Sequence, residues 1–268
     1  MLGLTPVVLL LSAFVFVIQF AVCWILFCKG HFRKLPWFTA YIALNLCQAG
    51  FLYFVYSRAR LDIYTRFWAA WISQPVTLLV RAFAIAEACR HALRVYPGVW
   101  NLARRASWII SVGVILFLGI EVSLDSFSFW TFVYIDRGFH LASLLCLIAF
   151  MLLNMDYYIS IHRFYVALIG GFCFYSVTMV LADTLLKTAL SPRSSSHEAI
   201  WQMITIVPYL AVEIIWLLVL RGPLPPNANP APLVIRPATP RRHPIRYGLR
   251  RLAAAFARLV LPQPAEPS

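Results

Sequence analysis

Seven long apolar segments take up most of the chain, and this pattern restricts the fold more than any other feature of the sequence. A helix that crosses a bilayer needs about 20 mostly apolar residues. Only 12% of the residues are charged, which is about half the fraction usual in a soluble domain. The sequence therefore predicts an all-α integral membrane protein, a seven-transmembrane helix bundle. The predicted spans are residues 5–27, 37–57, 67–89, 107–123, 128–153, 164–187 and 200–220.

Lysine and arginine residues are unequally divided between the two sides that these spans define. Of the 23, 16 lie in the loops after the first, third and fifth spans or in the tail, and five lie on the other side. Cytoplasmic loops of membrane proteins carry the excess of positive charge. The first six residues carry none, so the first segment is a retained span rather than a secretory signal. We expect the N-terminus outside, the C-terminus in the cytoplasm, and a multi-pass protein of the cell membrane (plasma or inner).

The loops are short, and the composition changes after the last span. The longest inner loop is predicted at roughly 90–106, where Pro97-Gly98 indicates a turn. We divide the chain into four parts: a seven-helix transmembrane domain, a flexible proline-rich linker, a basic amphipathic interfacial helix and a disordered end. These parts are residues 1–221, 222–244, 245–261 and 262–268.

The predicted tail helix has one apolar face and one basic face. Ile245, Leu249 and Phe256 belong to positions spaced four and three apart, while four arginines fall largely away from them. Such a helix lies on the inner leaflet and binds anionic lipid headgroups, which also suit the net charge of +13 better than nucleic acid does. The alternative is that it docks a cytoplasmic protein partner. The basic residues are Arg246, Arg250, Arg251 and Arg258.

Hydrogen-bonding side chains from four spans fall at one predicted depth in the bilayer. Counted from the centre of each span, they lie in a slab roughly 6 Å thick, at about 1.5 Å per residue. Polar side chains inside apolar helices face a bundle interior or a water-filled cavity, because lipid cannot satisfy them. We therefore predict a polar intramembrane core that forms the binding or functional site. The slab contains Gln19, Asn45, Gln48, Arg81 and Glu213.

Helical spacing extends this slab into stripes, since residues three or four apart share a face. The fourth span has no such stripe and is placed at the periphery. A cavity open to the outside would have Arg137, His140 and Asp183 as its upper lining. Asp136 and Arg137 would lie in the outer headgroups instead if the fifth span began at Gly138. The stripes are Tyr41, Asn45 and Gln48; Gln74, Thr77 and Arg81; Gln202, Thr205, Tyr209 and Glu213; Arg137 and His140; and Ser176 and Asp183.

Arg81 needs a partner, and Glu213 is the only carboxylate at its depth. We predict an ion pair between the third and seventh helices. This pair could be a functional site or a clamp that orders the fold, and the sequence leaves both open. Glu87 is predicted to pair locally with Arg90 or His91, one turn further along the third helix. Pro75 and Pro208 precede the two core charges by six and five positions and are expected to bend their helices.

The sequence gives little support for chemistry that needs a cofactor, a metal or a nucleophile. Each of the three lysines, at positions 29, 34 and 187, lies outside the seventh span, which excludes a retinal Schiff base there. His31, His91 and His162 lie near the inner side rather than facing one another within the bilayer, as haem ligands would. The motifs HExxH and GxSxG do not occur. We expect no cofactor, no metal site and no enzymatic activity.

Three functional hypotheses remain for such a protein. The first is a receptor-like or sensory signalling protein, because seven spans with an outer N-terminus resemble receptors and bacterial sensor modules at the level of the fold. The second is a small-solute or proton-coupled carrier, which the polar slab and the two prolines also suit. The third is a non-catalytic membrane scaffold, which would need neither a cavity nor a titratable core.

Overall fold

The computed structural model describes residues 6–57, 63–124, 129–157, 159, 161–189 and 195–222, and within them every regular element is helical. The predicted tail helix and almost all of the linker lie outside the described residues. A short 3-10 turn, His31–Arg33, follows the first helix. The α-helices are α1 (Pro6–Cys28), α2 (Pro36–Ser57), α3 (Ile63–Ala92), α4 (Pro97–Leu124), α5 (Phe129–Asp156), α6 (Arg163–Ala189) and α7 (Ser195–Leu220).

Six of the seven helices are long and apolar enough to cross a membrane. The other is α3, whose hydropathy is reduced by polar residues such as Gln74 and Arg81. Large apolar side chains are exposed around the bundle, among them Phe14 on α1 and Ile109 on α4, which is 73% exposed. Exposure on this scale suits contact with lipid rather than water. The chain is therefore a helical, multi-pass membrane protein.

The loop between α3 and α4 is much shorter than predicted. Residues 90–92 belong to α3, and Pro97 begins α4 instead of forming a turn, so four residues connect the two helices. Proline is favoured in the first turn of a helix because its missing N–H would have no partner there. Arg104 and Arg105 interrupt the apolar pattern without interrupting the helix, and both are exposed on α4. The prediction of an inner loop at 90–106 was wrong.

Helices α1, α2, α3, α5, α6 and α7 pack in a ring, each against the next, and α7 closes the ring against α1. Helix α3 also contacts α6 across the ring, so it faces more of the interior than its neighbours do. Helix α4 packs chiefly against α5, outside the ring. This confirms the peripheral position that its lack of a polar stripe predicts. The ring gives six helices access to one interior.

One end of the bundle gathers the ends of α1, α3 and α7 with the starts of α2, α4 and α6, and we call it the basic end. Gly30 ends α1 in the left-handed conformation, with φ 67°, and the ammonium of Lys29 donates to the carbonyl oxygen of Arg221. His31 is buried at this junction. Burial lowers the pKa of its imidazole, and the nearby charges of Lys29 and Lys34 act in the same direction.

Candidate functional site

The guanidinium of Arg81 lies at the centre of the bundle interior and is only 2% exposed. Its Nη1 contacts Nδ1 of His140 at 2.8 Å, and its Nη2 donates to Oγ of Ser176 at 2.8 Å. The guanidinium carbon lies 4.6 Å from the ring centroid of Tyr175, a cation–π distance. One arginine on α3 thus joins α5 and α6 through neutral partners.

Contact with Arg81 determines which nitrogen of His140 carries the proton. A guanidinium can only donate, so Nδ1 accepts and the ring proton lies on Nε2. That nitrogen faces Oδ2 of Asp136, one turn earlier on α5, at 3.8 Å. His140 is 1% exposed and Asp136 is also buried. The imidazole therefore stands between a buried cation and a buried carboxylate.

Amide and hydroxyl groups continue this network to α2. Nε2 of Gln48 donates to Oγ of Ser73 at 3.0 Å and to Oε1 of Gln74 at 3.2 Å, while Oγ1 of Thr77 donates to Oε1 of Gln48 at 2.7 Å. Nε2 of Gln74 in turn donates to Oδ1 of Asp136 at 3.4 Å. A continuous set of polar contacts therefore runs from α2 through α3 and α5 to α6.

A second polar group joins α1 to α7. The amide of Gln19 donates to the hydroxyl of Tyr209, and the Tyr209 ring lies 5.1 Å from the ring of Tyr175. Glu213 follows one turn later on α7 and is fully buried. Neither of its carboxylate oxygens meets the geometry of a hydrogen bond, but the Tyr209 hydroxyl and the Gln19 amide lie close enough to interact with the carboxyl group. Tyr175 touches both polar groups, which together form what we call the polar core.

The predicted ion pair between Arg81 and Glu213 is not formed, and that prediction was wrong. Both residues are described and buried, but Arg81 is directed towards α5 and α6 while Glu213 lies beside the α1–α7 contact. Tyr41 is close enough to interact electrostatically with both. Shared depth did bring the two charges into one interior. Shared depth did not specify which residues they contact, because it does not determine how each helix is rotated about its own axis.

The three residues predicted as an upper lining have different environments. His140 belongs to the polar core. Asp183 is 3% exposed, its Oδ2 has no hydrogen-bond partner among the described groups, and Asp136 and Arg137 both act on it electrostatically. The side chain of Arg137 is half-buried, with its guanidinium 5.6 Å from the ring of Tyr134. Helix α5 begins at Phe129, so Asp136 and Arg137 both lie within it.

Two other residues considered in the sequence analysis, Asn45 and Glu87, form hydrogen bonds with backbone groups instead of contacting the polar core. The amide of Asn45 donates to the carbonyl oxygen of Tyr41 on its own helix, at 3.1 Å. Glu87 accepts a hydrogen bond from the backbone N–H of Phe38, at 2.9 Å, near the N-terminus of α2. A carboxylate is favoured at that position by the orphan N–H groups and by the helix dipole. Glu87 forms no ion pair with Arg90 or His91 within the described chain, so the prediction of a local pair was wrong.

Five members of the core were not among the predicted site residues: Asp136, Ser176, Tyr175, Ser73 and Thr77. The sequence contained a signal for the first, since Asp136 lies four positions before His140 and shares its helix face. The uncertain start of the fifth span concealed it. Ser176 stood in a predicted stripe, and Oγ of Ser176 also donates to the carbonyl oxygen of Phe172, at 2.8 Å. Tyr175 gave no signal, because tyrosine is common in apolar cores.

Aromatic rings separate the polar core from the basic end. Trp216 lies one turn beyond Glu213 on α7, and its ring is 5.1 Å from that of Phe38 and 4.8 Å from that of Phe172. All three side chains are at most 1% exposed. The backbone of Phe38 donates to Glu87, at the edge of the basic end. We call Phe38, Phe172 and Trp216 the aromatic layer.

The described residues offer acids, bases and hydrogen bonds rather than a metal site. No group of three His, Cys, Asp or Glu side chains within them is arranged to hold a metal ion. All six cysteines are free thiols. The chain has no significant match to any protein-family model, curated protein or solved structure. Its function is therefore argued from the geometry of the polar core.

Proposed function

We propose that the chain is a receptor-like, sensory seven-helix membrane protein whose input is a change of protonation in the polar core. In this proposal α3 crosses the membrane with the other six helices, the N-terminus is outside and the basic end faces the cytoplasm. The observation that carries the proposal is the fully buried carboxyl group of Glu213, which forms no ion pair with a described cation and no well-formed hydrogen bond, although Tyr209 and Gln19 lie beside it.

A buried carboxyl group in this position is not explained by stability. A buried charge without a cationic partner or well-formed hydrogen bonds is costly, and ionisable residues within membrane spans are a functional-site hypothesis by default. Asp183 has the same character, with one unpartnered oxygen near Asp136. Gain or loss of a proton at such groups changes the local charge without requiring any ligand to enter. The core therefore contains a switchable element.

A contiguous series of contacts links this element to the basic end. Glu213 and Trp216 are one turn apart on α7, Trp216 packs on Phe38, and the backbone of Phe38 is held by Glu87. When Glu213 becomes charged, its carboxylate favours contact with water or with a new hydrogen-bond donor. Such a contact would change the packing around Glu213 and Trp216, where the series begins. The tilt of α7 against α2 then changes, and Pro208 within α7 supplies a place for the helix to bend.

A fluorophore at the basic end tests this proposal. Cys28 is exposed at the end of α1, so a label there reports on that end of the protein in lipid nanodiscs. We expect the fluorescence of the wild-type protein to change with pH as the polar core gains or loses protons. Glu213→Gln, which cannot ionise, should remove the part of this signal change that depends on Glu213, so that only a contribution from Asp183 remains.

Asp156→Asn is the matched control, because Asp156 is exposed at the end of α5, away from the core. This variant should titrate as the wild type does. The proposal fails if Glu213→Gln retains the full titration, or if the wild-type signal does not depend on pH. Equal helical content in circular dichroism verifies that each variant has folded.

A proton-coupled carrier is the second candidate, because Pro75 and Pro208 both lie inside helices next to the core charges. Both helices are continuous, but proline-containing segments in corresponding positions commonly mark the midplane site of a carrier. Proton flux into vesicles that carry a pH gradient distinguishes the two. A sensor leaves the gradient intact, whereas a carrier dissipates it in the presence of its solute and loses that activity in Glu213→Gln.

A further inference from the structure

A cavity of about 770 Å³ opens at the basic end between α2, α3 and the starts of α4 and α6. Its cationic lining comes from Arg33 and Lys34 before α2 and from Arg90 and Arg94 near the end of α3. Aromatic walls are formed by Trp37, Trp100 and Tyr165, and His91 stacks on Tyr165 with the rings 6.1 Å apart. The cavity is separate from the polar core, since the aromatic layer lies between them.

The cavity has an excess of positive charge. Glu87 is the one carboxylate in its lining, and that carboxylate accepts the backbone N–H of Phe38 at 2.9 Å. No described carboxylate lies within ion-pair distance of Arg33, Lys34 or Arg90, and all three side chains are exposed. Guanidinium groups bind phosphate in bidentate fashion, and an interface with several basic residues attracts anionic lipid.

One face of α3 leads from this cavity along the outside of the bundle. Val76, Leu79, Phe83, Ala86 and Arg90 are spaced three and four apart, and all five are exposed. Phe83 packs against Trp37 at the lip of the cavity, with the ring centroids 4.6 Å apart. From Phe83 to Val76 the face extends about 10 Å. That length matches much of an acyl chain in one leaflet, which is about 15 Å deep.

We propose that this cavity binds the phosphate headgroup of an anionic glycerophospholipid from the leaflet at the basic end, with one acyl chain on the α3 face. Arg90 stands where the two meet, at the end of the apolar face and in the cavity lining. A soluble phosphate compound would use the cavity alone. The adjoining apolar face favours a lipid as the occupant.

Lipid retained by the full chain is the measurement. The protein is reconstituted in vesicles of equimolar phosphatidylglycerol and phosphatidylcholine, extracted in mild detergent, and its bound lipids are counted by native mass spectrometry. We expect phosphatidylglycerol to be retained in preference. Arg33→Gln with Arg90→Gln should reduce that preference about fivefold for each charge removed. Arg90→Lys, which keeps the charge, should retain most of it.

The control is Arg104→Gln with Arg105→Gln, which removes the same charge from exposed positions on α4 that do not line the cavity. This variant should keep the wild-type preference. An equal loss in both double variants would reduce the effect to general surface charge and overturn the proposal. Displacement of phosphatidylglycerol by excess soluble glycerol phosphate would also overturn it, because the acyl chain would then add nothing. Equal helical content shows that each variant has folded.

Discussion

A guanidinium in the interior of a membrane protein usually requires a carboxylate, yet Arg81 is held by an imidazole, a hydroxyl and an aromatic ring. Asp136 interacts electrostatically with Arg81, and His140 lies between the two. The positively charged guanidinium of α3 thus contacts both α5 and α6, instead of forming one ion pair with a carboxylate. The stability of this arrangement therefore depends on an unprotonated Nδ1 of His140, because a doubly protonated ring could not accept a hydrogen bond from Arg81.

Replacement of His140 tests this dependence. His140→Leu removes the acceptor and leaves the guanidinium buried without its main partner, which should lower the free energy of unfolding by about 3 kcal/mol. Ser176→Ala removes one interhelical hydrogen bond and should cost about 1 kcal/mol. Unfolding of the protein in mixed micelles, titrated with sodium dodecyl sulfate, measures both changes.

The double variant Arg81→Met with His140→Leu is the decisive comparison. It removes the buried charge together with its acceptor, so it should be more stable than His140→Leu alone. Thr178→Ala is the control for Ser176→Ala, because the Thr178 hydroxyl bonds only carbonyl oxygens of its own helix. Additive losses in the double variant would show that Arg81 does not depend on His140.

Sequence reasoning at this scale placed residues correctly in the bundle interior but did not predict which neighbours they contact. Gln19, Gln48, Arg81 and Glu213 all contribute to the interior, as their shared depth predicts. The partner of Arg81 was missed because helix rotation and ring order decide it, and neither follows from spacing along one helix. A long guanidinium can also reach any of three neighbouring helices.

At the scale of elements, the contact between α6 and α7 depends on one missing side chain. A Cβ on Gly171 would lie 2.5 Å from Nε1 and 2.9 Å from Cε2 of Trp216. Trp216 cannot retreat easily, since Phe38 and Phe172 hold its ring on other sides. The absence of a side chain at Gly171 therefore allows the close packing of α6 on Trp216.

Gly171→Ala should therefore lower the free energy of unfolding by about 2 kcal/mol, the usual cost of overpacking a dense core. Gly113→Ala on α4 is the matched control, because nothing lies within 4 Å of its added Cβ. That variant should be neutral or slightly stabilised, since alanine favours the helix more than glycine does. Tryptophan fluorescence during unfolding in detergent measures both. Equal stability of the two variants would contradict the packing described here.

The helices themselves were largely predictable, and the errors fall at their ends. Hydropathy identifies a span by its apolar residues, so the basic turns of α4 from Pro97 to Arg105 were assigned to a loop. Backbone hydrogen bonding continues the helix through these turns regardless of which side chains face water. The order of the ring and the contact of α3 with α6 come from tertiary packing, which the periodicity of single helices does not contain.

On the scale of the whole molecule, two polar regions are held apart by aromatic rings. The polar core contains buried acids, while the basic end contains exposed cations and the proposed lipid cavity. A change in the core reaches the other end only through packed elements, of which α7 is the most direct because it carries Tyr209, Glu213 and Trp216 in succession. Lipid bound between α2 and α3 would alter the same packing from the opposite side.

The orientation of the molecule gives the last prediction. If the excess of positive charge marks the cytoplasmic side, the basic end faces inward and Cys28 is accessible only from there. A membrane-impermeant maleimide should label inside-out vesicles and leave intact cells unlabelled, and Cys28→Ser should abolish the signal. Cys47 is also exposed but lies in mid-α2 facing lipid, where a membrane-impermeant reagent does not reach it. Labelling of intact cells at Cys28 would reverse the orientation and place the basic cavity outside, where anionic lipid is scarce.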